Sequence, residues 1–190
     1  MRELSLNVMD IAQNSLSAGA SLTQIVVEES SAEDTLTLKI IDNGRGMTAE
    51  QAARVTDPFF TTRTTRKVGL GVPLFKMAAE QTGGSFSIES EPGKGTTVTA
   101  VFKLPDIDMT PLGDINSTVG LLIYSNPERD FIFRRERDGR GFTLDTRELR
   151  EILGEEVKLS SPEVSEWIQG YLKEQTDMIF GGAQEDENIS

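Results

Sequence analysis

Cysteine and histidine are both missing from this chain of 190 residues. Without cysteine there are no disulfides and no thiolate metal sites. Without histidine the commonest metal ligand and general base is gone, along with any phosphohistidine chemistry on this chain. Long apolar runs are missing as well. No stretch approaches the roughly 18 residues needed to cross a bilayer, and the opening "MRELSLNVMD" has no apolar signal-peptide core. The expectation is a cytoplasmic protein. Positive charge is scarce: 19 Lys and Arg face 31 Asp and Glu, for a net charge of −12. Duplex nucleic acid and anionic membranes select for basic surfaces, so neither is expected as a main partner.

What is present is ordinary for a globular chain. A composition of 37% hydrophobic and 26% charged residues supplies enough apolar material for a core at this length. The acidity is concentrated. Residues 1–105 hold 10 Lys/Arg and 12 Asp/Glu, giving −2, whereas residues 106–190 hold 9 and 19, giving −10. Near-balance in the first part suits a site for an anionic ligand. The acidity of the second suits a basic partner surface or plain solubility.

Periodicity divides the first part into helices and strands. Residues 2–18 predict a helix, with Leu4, Val8, Ile11, Ser15 and Ala18 on one face and Asn7, Asp10, Asn14 and Ser17 as a polar stripe beside it. "LTQIVVEES" and "LTLKIID" predict two strands around a polar turn. "TAEQAARV" predicts a short helix capped by Thr48, and "TDPFFTTRTTRKVGLG" an irregular loop. "VPLFKMAAEQT" predicts a helix with Pro73 in its first turn and Gly83-Gly84 at its end. Strands "SFSIESE" and "TTVTAVFKL" follow, joined by "PGKG". Residues 106–117 read as a linker. Beyond it, strands are expected at 118–124, 131–137 and "FTL", helices near 146–153 and 162–175, and a disordered acidic tail at 183–190. Trp167 falls at the apolar positions of the last helix, with Val164, Ile168 and Leu172, and is expected in the core.

Several short motifs bear on chemistry. Asp10 and Asn14 stand one helical turn apart on one face. Asp10 is thus a candidate general base beside a carboxamide oxygen able to hold Mg²⁺; a solvated polar stripe is the other reading. In "IIDNGRGMT" Asp42 ends an apolar strand, where its carboxylate can accept a hydrogen bond from the exocyclic amine of adenine. Gly44 and Gly46 let the backbone pass close to a flat ring, while an Asn-Gly turn explains the same residues without a ligand. In "KVGLGVP" two glycines at a helix start expose N–H groups and the positive end of the dipole to a phosphate, with Arg63, Arg66 and Lys67 just upstream. "GKGTTV" supplies Thr96 at the start of a strand, where its hydroxyl could share a water or an amine with Asp42. Each motif alone is weak. Their order within about 90 residues is the stronger signal.

That ordered set resembles the ATP-binding domain of the GHKL superfamily of gyrase, heat-shock chaperone, histidine-kinase and MutL ATPases, over residues 1–105. "DIAQNSLSAGA" is similar to its N box in the mismatch-repair form, and "DNGRGM" to its G1 box. "DPFFTTR" with "GLGVPL" resembles the short lid and G2 box of nitrogen-regulatory-type histidine kinases, and "GGSFSIESEPGKGTTVTAVFKLP" their closing strands. The resemblance implies ATP and Mg²⁺ as ligands, with Asn14 on the metal and Asp42 on the adenine amine. It further implies that Gly44, Gly46 and Met47 line the adenine pocket, that Lys67, Gly69, Leu70 and Gly71 meet phosphate, and that Thr96 assists Asp42; Arg63, upstream, is a further candidate to neutralise phosphate.

Two departures qualify the resemblance. Asp10 stands where the hydrolysing members carry glutamate. No histidine is present for autophosphorylation. The expected fold is an α/β (α+β) two-layer sandwich of the Bergerat type, a mixed sheet with three helices on one face, followed by a small α+β region at 118–182. The expected function is a kinase-type ATPase acting on a separate protein, with an ATP-dependent switch of little turnover as the alternative. A protein partner or phosphoacceptor is expected, and a homodimer is left open.

Overall fold

The computed structural model describes residues 3–57, 71–104 and 112–188. Helix α1 (Leu4–Ser17) is followed by strands β1 (Leu22–Ser30) and β2 (Thr35–Asp42) and by helix α2 (Ala49–Val55). Helix α3 (Gly71–Gln81) then leads into β3 (Ser85–Glu91) and β4 (Gly95–Lys103). The remainder is α4 (Ile115–Ser125), β5 (Asp130–Arg137), β6 (Arg140–Asp145), α5 (Thr146–Leu153) and α6 (Pro162–Asn188).

Six strands form one sheet in the order β3-β4-β2-β1-β5-β6. All neighbours are antiparallel except β1 and β5, so the sheet is mixed. Alternation gives it two different faces. Along one cross-strand row Ile88, Val98, Ile40, Ile25, Phe133 and Leu144 stand side by side through all six strands. That face is covered by α1, α3, α4 and α6, which pack on one another in a single layer. The opposite face carries Thr37, Lys39, Thr99, Glu28 and Arg134, so the molecule is a two-layer sandwich.

The C-terminal α+β region is present, and it continues the sheet rather than standing beside it. Strand β5 runs parallel to β1 from Leu22↔Asp130 to Glu29↔Arg137. One hydrophobic cluster extends from Leu4 and Phe75 through Phe131 and Phe133 to Ile179. The second half of the expected linker is packed too. Leu112 is buried, and its carbonyl accepts from Ser5 N–H at 2.8 Å, satisfying one of the free donors at the start of α1.

Four sequence expectations are corrected here. Residues 118–124 are helical, not a strand. Their β-branched and aromatic run suggests a strand, but Ile115, Thr118, Val119, Leu122 and Ile123 are buried at helical spacing. Asp114 caps that helix, accepting from Ser117 N–H at 3.0 Å and from its hydroxyl at 2.6 Å. The helix expected at 162–175 runs on to Asn188, so most of the tail read as disordered is helical. Trp167 is 51% exposed, stacked on Tyr171 rather than sunk in the core. Asn7, placed on the polar stripe of α1, is also buried.

Candidate functional site

The apolar cross-strand row gives way, at the next inward-facing position along the strands, to a polar one. Ser90, Thr96, Asp42 and Thr23 stand opposite one another across β3, β4, β2 and β1, with Phe131 next in line. This is where the sheet meets the end of α1, and a cavity of about 280 Å³ opens there. Its apolar lining comes from Ile11, Ile40, Val55, Val72, Ile88 and Val98. Asn14, Ser15, Asp42 and Thr96 supply the polar groups, with Arg45, Gly46 and Met47 contributed by the corner after β2.

Asp42 is held on both oxygens. Ser15 Oγ donates to Oδ2 at 2.7 Å, and Gly44 N–H donates to Oδ1 at 2.9 Å. The Asn43 side chain ties the corner to β1, its Oδ1 accepting from Ser21 and Leu22 N–H at 2.9 and 3.0 Å. Gly44 does not line the cavity; it lies behind Asp42, where an added Cβ would come within 2.9 Å of the Ala18 carbonyl oxygen. Gly46 is required on two grounds. Its φ is +71°, and a Cβ there would sit 2.0 Å from the Glu91 carbonyl oxygen. Across the cavity Met47 N–H donates to Ser90 Oγ at 2.8 Å. Ser90 Oγ is also 3.0 Å from the Gly95 carbonyl oxygen and 2.7 Å from Thr96 Oγ1. The hydroxyl of Thr96 therefore pairs with Ser90 while Thr96 shares the cavity wall with Asp42. Beside Asp42, buried Thr23 Oγ1 has no hydrogen-bond partner among the described residues.

The other end of the site lies where α3 begins. A Cβ on Gly71 would lie 2.7 Å from Asp10 Cβ, so the bare glycine allows the helix start to abut Asp10. Asn14, one turn further along α1, lines the cavity. Asp10, Asn14, Asp42, Gly46, Met47, Gly71 and Thr96 are thereby gathered around the one end of the sheet. Arg63, Lys67, Gly69 and Leu70 lie outside the described residues. Sequence reasoning missed Ser15, assigned to an apolar face because its spacing matched, and Ser90, which falls within the strand "SFSIESE" and was given no role.

The sequence profile of the family described as histidine kinase-, DNA gyrase B- and HSP90-like ATPase matches residues 1–106. This chain belongs to that family. The ATPase-family chain is 37% identical over 110 residues to the sensor protein SrrB of Staphylococcus aureus strain NCTC 8325 / PS 47, and equally to that of strain COL. The match covers 55% of this chain and 18% of either sensor protein, so only a small part of those relatives is represented. Among solved structures, the N-terminal domain of a DNA repair protein aligns with a TM-score of 0.49 at 14% identity, over 75% of this chain and 52% of that one. Full-length ShkA in complex with AMPPNP aligns with a TM-score of 0.42 at 18% identity, over 51% and 20%. No described helix is long and apolar enough to cross a membrane.

Proposed function

We propose that the cavity binds the adenine of Mg²⁺–ATP and that the chain transfers the γ-phosphoryl group to a residue of a separate protein. The observation that carries this reading is the state of Asp42, with one hydrogen bond on each oxygen and its remaining lone pairs available to the cavity. A carboxylate fixed in that way accepts from an exocyclic amine and opposes a ring carbonyl. The aliphatic lining takes the faces of a purine. Gly71 and Val72 offer backbone N–H groups at the positive end of α3, and Pro73 has no N–H to leave unpaired.

The donor set suits a metal that arrives with the nucleotide. Mg²⁺ keeps waters and phosphate oxygens in its shell, so the single carboxamide oxygen of Asn14 fits it. When bound, Mg²⁺ neutralises phosphate charge; catalysis is otherwise positioning. Asp10 orients or deprotonates the attacking group. It is one methylene shorter than glutamate, and the start of α3 at Gly71 abuts it. The chain holds no histidine, so a histidine acceptor would have to lie outside these 190 residues.

The short Asp10 also supports a second reading, an ATP-dependent switch with negligible turnover. A time course with γ-labelled Mg²⁺–ATP separates the two, comparing purified protein with protein in host lysate and using Asn14→Ala as the blank. An Asn14-dependent labelled band supports transfer in trans. Saturable retention without free phosphate or label supports the switch, and no retention removes both.

A further inference from the structure

Away from the cavity, the solvent side of α6 is built unlike a merely solubilising surface. Between residues 163 and 181, Glu163, Glu166, Trp167, Gly170, Lys173, Glu174, Asp177 and Met178 are its exposed positions. At 100° per residue they fall within an arc of about 140°. Trp167 and Met178 lie along one margin of that arc, 51% and 61% exposed, and about 16 Å apart along the axis. The rest holds four carboxylates, with Gly170 among them and Lys173 at the far margin, and none of the four has a charged or hydrogen-bonded partner among the described residues.

Trp167 is exposed yet held in place. Its ring lies flat on Tyr171, with centroids 5.1 Å apart and planes 12° apart. Tyr171 meets Phe142 edge-on at 6.2 Å, and Phe142 meets Phe133 edge-on at 5.9 Å. A ladder of four rings thus runs from the core to the surface and presents one indole face to solvent. A large aromatic that is already ordered loses little freedom on binding, and such residues carry a disproportionate share of binding energy.

We infer that this face of α6 docks a basic, amphipathic helical segment of a partner protein, with apolar anchors on Trp167 and Met178 and lysines or arginines on the carboxylates. Charge decides the occupant. A second copy would set the same four carboxylates against themselves in a chain already at −12, whereas a basic segment pairs with them. The surface is separate from the nucleotide cavity and does not depend on its reading.

Trp167 is the only tryptophan, so its emission reports directly on this face. The test titrates the full chain with a 16-residue Leu/Lys peptide whose leucines fall at helical spacing, against a Ser/Lys peptide of equal charge. The expected result is a saturable blue shift with the first peptide, at least tenfold weaker binding of the second, and weakening by added salt. By anisotropy of the labelled peptide, Trp167→Ala and, separately, the surface pair Glu166→Lys with Glu174→Lys each weaken binding at least tenfold. Thermal melts of each variant show that the fold is kept. Absence of saturable binding, or binding indifferent to both variants, overturns the proposal. So does concentration-dependent dimerisation that Trp167→Ala abolishes, because the occupant is then a second copy.

Discussion

Replacing Asp42 by asparagine removes a charge without removing volume, and the local hydrogen bonds dictate how the amide settles. Gly44 N–H points at Oδ1 from 2.9 Å, so the amide oxygen must take that position; an NH₂ there would set donor against donor. The NH₂ then replaces Oδ2 and faces Ser15 and the cavity. Ser15 adapts by turning its hydroxyl to accept, since its own proton can go to the Ile11 carbonyl oxygen at 3.4 Å. The fold is kept and the cavity wall changes from acceptor to donor. A charge-assisted hydrogen bond contributes about 1.5–3 kcal/mol, equivalent to a loss of roughly 10- to 150-fold in ATP affinity. ITP, which offers a carbonyl where ATP offers an amine, gains on ATP in the variant. Calorimetric titration of both nucleotides into wild type and Asp42→Asn, with matched melting curves, measures this. ATP affinity within threefold of wild type, or an unchanged ATP-to-ITP ratio, refutes the placement of adenine against Asp42.

Other expectations concern the scaffold. Gly46→Ala forces a Cβ into a left-handed residue 2.0 Å from a carbonyl oxygen and costs at least about 2 kcal/mol, seen as a melting point lower by several degrees. Phe133→Ala, in the centre of the shared core, costs about 3–5 kcal/mol and lowers a single calorimetric transition rather than splitting it, because both halves of the chain share one cluster. Hydrogen bonds from Ser117 hold the Asp114 carboxyl below its usual range. A carboxyl lowered in the folded state stabilises it above the unfolded value of about 3.9 and loses that contribution as pH falls. Asp114→Asn keeps the cap, so urea melts should show its deficit at pH 6 and a deficit that shrinks as the pH falls below about 3.9.

The strands of the first half were legible because alternation and turn residues agreed. Gly46 and Gly95 at positive φ fall at the corners that the sequence marks with glycine. The cap of α2 was legible for the same reason, with Thr48 and Gln51 satisfying each other's backbone N–H at 3.2 and 2.9 Å. The helix at 115–125 was not, since a run such as "TVGLLIY" fits a buried strand or a buried helix until the cap at Asp114 is noticed. Nor was the union of the two halves. Pairing β5 with β1 joins residues more than 100 apart, and no local pattern encodes such a partner. At the site, Asp42 and its glycines were visible as a motif, whereas Ser15 and Ser90 act through distances of 2.7 and 2.8 Å set by the tertiary fold.

Photolabelling with 8-azido-ATP, followed by mapping of the modified peptides, tests most directly whether a purine occupies this cavity. Saturable labelling confined to residues 40–47 and 88–98, competed by ATP and lost in Asp42→Asn, is the predicted result. Labelling elsewhere on the chain, or labelling that ATP does not displace, contradicts it.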